Sequence, residues 1–304
     1  MSYYTERHGL RKPIERTYTI SLEMYSLLFQ CCQKYLDNIA WLLPSECPDG
    51  QGCCGVDYKQ LNTMLKFEMP NLYRDSYENI AIPEKLDYGF GKAPKYDQFA
   101  LLDFIEFISQ NMKDIKEVDF HKYYGHHHLS LLETQHVFST FYNEINDIFE
   151  KTGLLYKLTT EKIIERIVEN SPLSAEIEIE IQQIAELGTR ELMKDAIALY
   201  KTPTPAARQD SVEKIWDALE RLKTYYTSLN KKDSAAKIVT DMGNGQPDFI
   251  TIFDEEFKAL TKIGNGFRIR HHETDKIDIT DIRHYDYFFN RCLSLIGLAI
   301  QYLK

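Results

Sequence analysis

The sequence predicts a mainly helical, all-α chain with a small β-hairpin near residues 154–167. Apolar residues return at helical spacing in most segments. Pro- and Gly-rich breaks separate these segments. Alternation that reads as strand is short: Leu154, Tyr156 and Leu158 after Gly153, then Ile163, Ile164 and Ile167.

Ser21 is placed to cap a first helix whose apolar positions are Met24, Leu27, Leu28, Leu36, Ile39 and Ala40. Pro44 ends it. The stretch from Cys47 to Gly55 is turn-rich. Residues 68–97 hold Pro70, Pro83, Pro94, Gly89 and Gly91 and read as a long ordered loop. Phe99 to Ile108 is the second helix and Leu129 to Phe149 the third. Pro172 marks a boundary. Ile177, Ile181, Ile184 and Leu187 share one helical face, so the Glu/Ile alternation from Glu176 to Ile181 reads as helix. Met193, Ile197 and Tyr200 continue that spacing up to the break at Thr202-Pro203-Thr204-Pro205. Val212, Ile215, Trp216, Leu219 and Leu222 make a strongly amphipathic helix. After Asn244-Gly245-Gln246-Pro247 a helix runs through Phe257 and Leu260 towards Gly264-Asn265-Gly266. The last helix spans about Thr280 to Leu303. The expected organisation is a helical N-terminal domain over 1–150, a hairpin and connector over 151–171, and a helical domain over 172–304.

Composition limits the function classes. The chain has 304 residues, 43% of them hydrophobic, so it is not globally disordered. No apolar run reaches bilayer length; Tyr287 to Leu303 comes nearest and carries Asn290 and Arg291. The polar N-terminus lacks the apolar core of a signal peptide, so a cytoplasmic protein with no membrane partner is expected. The net charge of −10 argues against coating nucleic acid non-specifically. One stretch departs from it. From Phe257 to His272 lie Lys258, Lys262, Arg268, Arg270, His271 and His272, with no acid among them.

The chemistry of the side chains leaves few sites. Cys47, Cys53 and Cys54 with His121 and the run His126-His127-His128 are suitable zinc ligands, yet their spacing is not diagnostic. Buried thiols and a solvated histidine run are the competing reading, and no metal or cofactor is expected. Asp103 and Glu106 lie one helical turn apart, a pairing typical of an exposed helix face. Neither a serine-nucleophile elbow nor a phosphate-binding loop is present. The basic stretch is the best candidate. Two arginines at i and i+2 can clamp phosphate oxygens. Histidines can move protons at neutral pH. Arg270, His271 and His272 are therefore the candidate catalytic set for metal-free RNA cleavage. Arg268, Lys262 and Asn265 are candidate phosphate contacts. Asp217 and Glu220, at i and i+3, are supporting residues, and His284 stands near the start of the final helix. The competing reading is a solvated basic turn that pairs with Asp217, Glu220 or Asp281.

These stretches carry a resemblance. Ala196 to Tyr200, then Asp210 to Leu222, then Ile269-Arg270-His271-His272 and the apolar terminal helix resemble, in that order, the HEPN superfamily as found in AbiJ-type abortive-infection proteins. Tyr4 to Arg11 resembles the Glu-Arg-x-Gly-Leu opening of domains fused ahead of such modules. The resemblance implies a HEPN-like helical bundle over 172–304, an antiphage role, RNA as substrate, a homodimer, and a partner defence protein. It also implies a choice between metal-independent cleavage and non-catalytic binding or sensing. The family's nuclease signature is Arg, four to six residues, then His. From Arg270 the matching positions are Asp275, Lys276 and Ile277, and from Arg283 they also hold no histidine.

Overall fold

A computed structural model describes residues 4–10, 14–83, 94–169, 171–270 and 274–303. The chain divides into two compact units, Met1–Arg166 and Ile167–Lys304.

The first unit opens with a short helix, α1 (Tyr4–Arg7), followed by α2 (Leu22–Lys34). Ser21 caps α2: its hydroxyl accepts the Met24 amide at 3.3 Å. A 3-10 turn at Leu36–Ile39 leads to a hairpin of β1 (Pro44–Glu46) and β2 (Cys53–Val56). Next come α3 (Tyr58–Glu68) and α4 (Gln98–Asn111), capped by Asp57 and Asp97. A longer hairpin pairs β3 (Asp114–His121) with β4 (His126–Leu132). It leads into α5 (His136–Thr152) and a third hairpin, β5 (Tyr156–Leu158) with β6 (Ile164–Arg166). Helices α2, α4 and α5 enclose the core, where the rings of Phe29 and Phe104 stack with centroids 5.5 Å apart. Gly153 ends α5 at φ +76, a left-handed position that favours glycine. A Cβ there would also lie 2.4 Å from the Glu15 carbonyl oxygen.

The second unit is helical: α6 (Ala175–Gln182), α7 (Leu187–Lys201), α8 (Pro205–Leu222), α9 (Lys231–Gly243), α10 (Pro247–Gly266) and α11 (Ile282–Tyr302). Thr204 caps α8 and Pro205 begins it, where a missing amide costs nothing. Helix α11 lies on α8, and the Tyr200 ring of α7 stacks on Phe289 of α11 at 3.8 Å. Ile215, Leu219, Leu260, Ile269, Leu293 and Ile296 are buried around that pair.

The mainly helical class and the hairpin near 154–167 are found. Two further hairpins are present that the spacing did not suggest. The helix expected from Leu129 divides: residues 126–132 form β4, and α5 starts at His136. Helices α3 and α9 also lie outside the expected set. No described helix is long and apolar enough to cross a membrane.

Candidate functional site

In the second unit the Arg270 turn is built on α8. Trp216 and Asp217 are adjacent on that helix. Trp216 is only 6% exposed. Helix α10 passes it at Gly264, where a Cβ would lie 1.7 Å from Trp216 Nε1. Beyond α10 the chain turns sharply and is held by a two-residue bridge. Arg268 N–H donates to the Ile277 carbonyl at 2.8 Å, and Ile277 N–H donates to the Gly266 carbonyl at 3.1 Å. Ile269 is fully buried. Its neighbour Arg270 therefore points back to α8. One guanidinium nitrogen donates to Asp217 Oδ1 at 2.6 Å, and the group lies over the Trp216 ring at 4.7 Å. About a third of the Arg270 side chain, 31%, stays open to solvent.

The remaining candidates divide. Arg268 pairs with Asp278 at 3.1 Å. Lys262 and Asn265 are exposed on the last turns of α10. Glu220 is engaged elsewhere: it pairs with Lys223, and with Lys231 at 2.7 Å. Burial pushes its carboxyl up, and the two ammonium groups more than offset this and hold it below its usual range. His284 is exposed in the first turn of α11, where its amide donates to the Asp281 carbonyl. His271 and His272 lie outside the described residues. Thus the structure joins Arg270 to Asp217 and Trp216. Of the three acids expected as partners in the solvated-turn reading, Asp217 is the one it meets. A groove of about 640 Å³ elsewhere in this unit is lined by Glu180, Glu186, Tyr225 and Gln301, and by none of the candidate residues.

In the first unit the cysteines and histidines separate cleanly. Cys47 is buried in the loop between β1 and β2. That loop is closed by Cys47 N–H on the Gly52 carbonyl and Gly50 N–H on the Cys47 carbonyl, both at 2.8 Å. His121 ends β3 and pairs in register with His126, which begins β4. Side chains alternate along a strand, so His126 and His128 share a face and His127 takes the other. His127 indeed turns to Phe120 and Glu117. Cys47 Sγ lies 3.3 Å from His121 Nδ1 and 3.3 Å from His126 Nε2. One ligand atom each from Cys47, His121, His126 and His128 fall within 4.8 Å of one another. Cys53 and Cys54 are turned away, their thiols donating to the Gly55 and Ser45 carbonyls. Glu106 has a structural partner: it accepts the Ile164 amide of β6 at 2.5 Å.

Residues 2–183 match the family model of AbiJ N-terminal domain 4. The chain belongs to that family. Membership points to an abortive-infection role. The AbiJ N-terminal match takes in the whole of β1 to β6, the Cys47 loop and the histidine hairpin, and continues through α6. No curated protein and no solved structure gives a match. Arg270, Asp217 and the cysteine and histidine ligands stand out in the sequence; the Trp216 ring behind Arg270 and the β3–β4 register, which decides which histidines of the run converge, do not.

Proposed function

We propose that this AbiJ-family chain is an antiphage abortive-infection protein whose second unit is a HEPN-like effector that cuts RNA at the Arg270 turn. The supporting observation is the clamp on Arg270. Asp217 fixes the guanidinium from one side and Trp216 backs its face, while a third of the side chain faces solvent. A guanidinium held in this way is oriented in advance for a phosphate. His271 and His272 follow it directly in the chain and supply the acid and base for attack by the ribose 2′-hydroxyl. Arg268, Lys262 and Asn265 flank the turn as backbone contacts. Two copies bring two Arg–His sets to one cleft in a homodimer.

The test is RNA integrity. Purified protein is incubated with total RNA in EDTA, beside Arg270→Ala and His271→Ala. Cleavage by the parent chain and its loss in both variants is the expected result. Intact RNA, under conditions where a known ribonuclease cuts, rejects the cleavage reading.

One observation favours a second reading, a non-catalytic binding or sensing module. Arg270 already has a carboxylate partner, and the Arg-x₄₋₆-His spacing is missing from the sequence. Under this reading cells that carry Arg270→Ala and His271→Ala keep full protection in a phage challenge.

A further inference from the structure

We propose that Cys47, His121, His126 and His128 form a zinc site in the first unit, independent of any reading of the second. The donor set comes first. One thiolate and three imidazoles suit Zn²⁺, which takes nitrogen and sulfur ligands in a tetrahedron. Bonds of about 2.0–2.3 Å to a central zinc put ligand atoms roughly 3.3–3.7 Å apart along the tetrahedron's edges. The two sulfur–nitrogen separations of 3.3 Å already match an edge. The widest spacing in the set is no more than 4.8 Å, so small side-chain rotations close it.

Two further observations point to a missing ligand partner. His128 Nε2 is buried and has no hydrogen-bond partner among the described residues, a costly state for a ring nitrogen. Gly52 lies against the same ring, where a Cβ would meet His128 Cγ at 3.2 Å, so the loop leaves room for that imidazole and little more. A carboxylate lies beside the cluster: Asp49 Oδ2 is 3.2 Å from His121 Nδ1, the same nitrogen that faces Cys47 Sγ, and its other oxygen accepts the Gln51 amide at 2.9 Å. It balances the single positive charge that remains when Zn²⁺ binds one thiolate and three neutral imidazoles. Cys47 gives its thiol proton to solvent as the sulfur binds. Four protein ligands fill the tetrahedron, which marks a structural site and not a catalytic one. The ion joins the β1–β2 loop to the tip of the β3–β4 hairpin, two pieces of chain more than seventy residues apart.

The full-length chain, purified without chelator, is analysed for metal. About one zinc per chain is expected, unchanged in Cys54→Ser and lost in Cys47→Ser and His126→Ala. Zinc retained at full stoichiometry in Cys47→Ser or His126→Ala overturns the site. Because those variants can fail to fold, a second measurement uses the parent chain alone. It is stripped of metal and titrated with Co²⁺. Intense visible bands of tetrahedral cobalt together with a thiolate-to-cobalt charge-transfer band support the site. A chain with neither bound zinc nor these bands overturns it.

Discussion

At the scale of single residues, Gly264 shows how a missing side chain positions a larger one. Trp216 occupies the space its Cβ would take. An indole wedged between helices cannot rotate away cheaply, so Gly264→Ala should destabilise the chain by about 1–3 kcal/mol through overpacking. Gly266 has open space at its Cβ position. Gly266→Ala should therefore be neutral or stabilising by up to about 1 kcal/mol, because alanine is the better helix former. Urea unfolding of the two variants checks the contrast; equal effects would refute this packing. Arg270 supports the opposite expectation. Its pair with Asp217 is part-exposed, and such pairs contribute roughly 0–1 kcal/mol. Stacking on Trp216 adds about as much again. Arg270→Ala should fold, with a loss of about 1–2 kcal/mol by urea unfolding, so that any loss of phage protection reports on function. The role of Arg270 as a candidate was legible from the sequence because glycines, arginines and histidines cluster there. Its partner was narrowed to three acids, and only packing on α8 could choose Asp217.

Among the elements, the hardest to read were those whose ends are fixed from a distance. Leu129, Leu131 and Leu132 precede Val137 and Phe141 at spacings that fit one continuous helix, yet the chain changes from β4 to α5 between them. The residue that fixes the change is Asp114, at the far end of the partner strand. Its carboxylate accepts the His136 amide at 2.8 Å and the Val137 amide at 2.6 Å, and also the Thr134 hydroxyl. It caps α5 across some twenty residues, and local spacing holds no trace of that. Burial raises the Asp114 carboxyl, and these three donors more than offset it, leaving it below the usual aspartate range. The unfolded chain thus takes up this proton at a higher pH than the folded one. The stabilisation is complete above the ordinary aspartate value of about 3.9 and is lost as pH falls from there through the folded value. Asp114→Asn should be less stable than the parent chain at neutral pH, by about 1–2 kcal/mol for a weakened cap. The gap should narrow below about pH 4. Denaturant titrations across pH 2.5–7 measure it; a gap that stays constant with pH would show that the charge is not what stabilises the cap. Helices α6 and α8, by contrast, are legible from their apolar faces, and their caps are local: Ser174 and Thr204 each sit directly before the helix they cap, whereas α9 is missed although Asn230 caps it locally.

For the whole molecule, the two units each contain a separate apolar core, so each can lose stability without the other. The tryptophans make this measurable. The sequence holds two, Trp41 in the first unit and Trp216 in the second. Trp41 donates its indole N–H to the Asn111 carbonyl, between the 3-10 turn and the end of α4. Trp216 sits under Arg270. All four zinc ligands lie in the first unit. Metal binding to a folded site is folding free energy for the unit that holds it, of order 10 kcal/mol for structural zinc. Even about half of that, in a unit of this size, lowers a melting midpoint by roughly 10–20 °C. Removing the metal should therefore lower the thermal transition reported by Trp41, followed in Trp216→Phe. The transition reported by Trp216, followed in Trp41→Phe, should stay where it is. Equal shifts in both would mean that the units unfold as one. No shift in either would show that the Cys47–His128 cluster contributes nothing as a metal site. The net charge of −10 plays no part in that outcome, because chelation acts on four ligands within one loop and one hairpin.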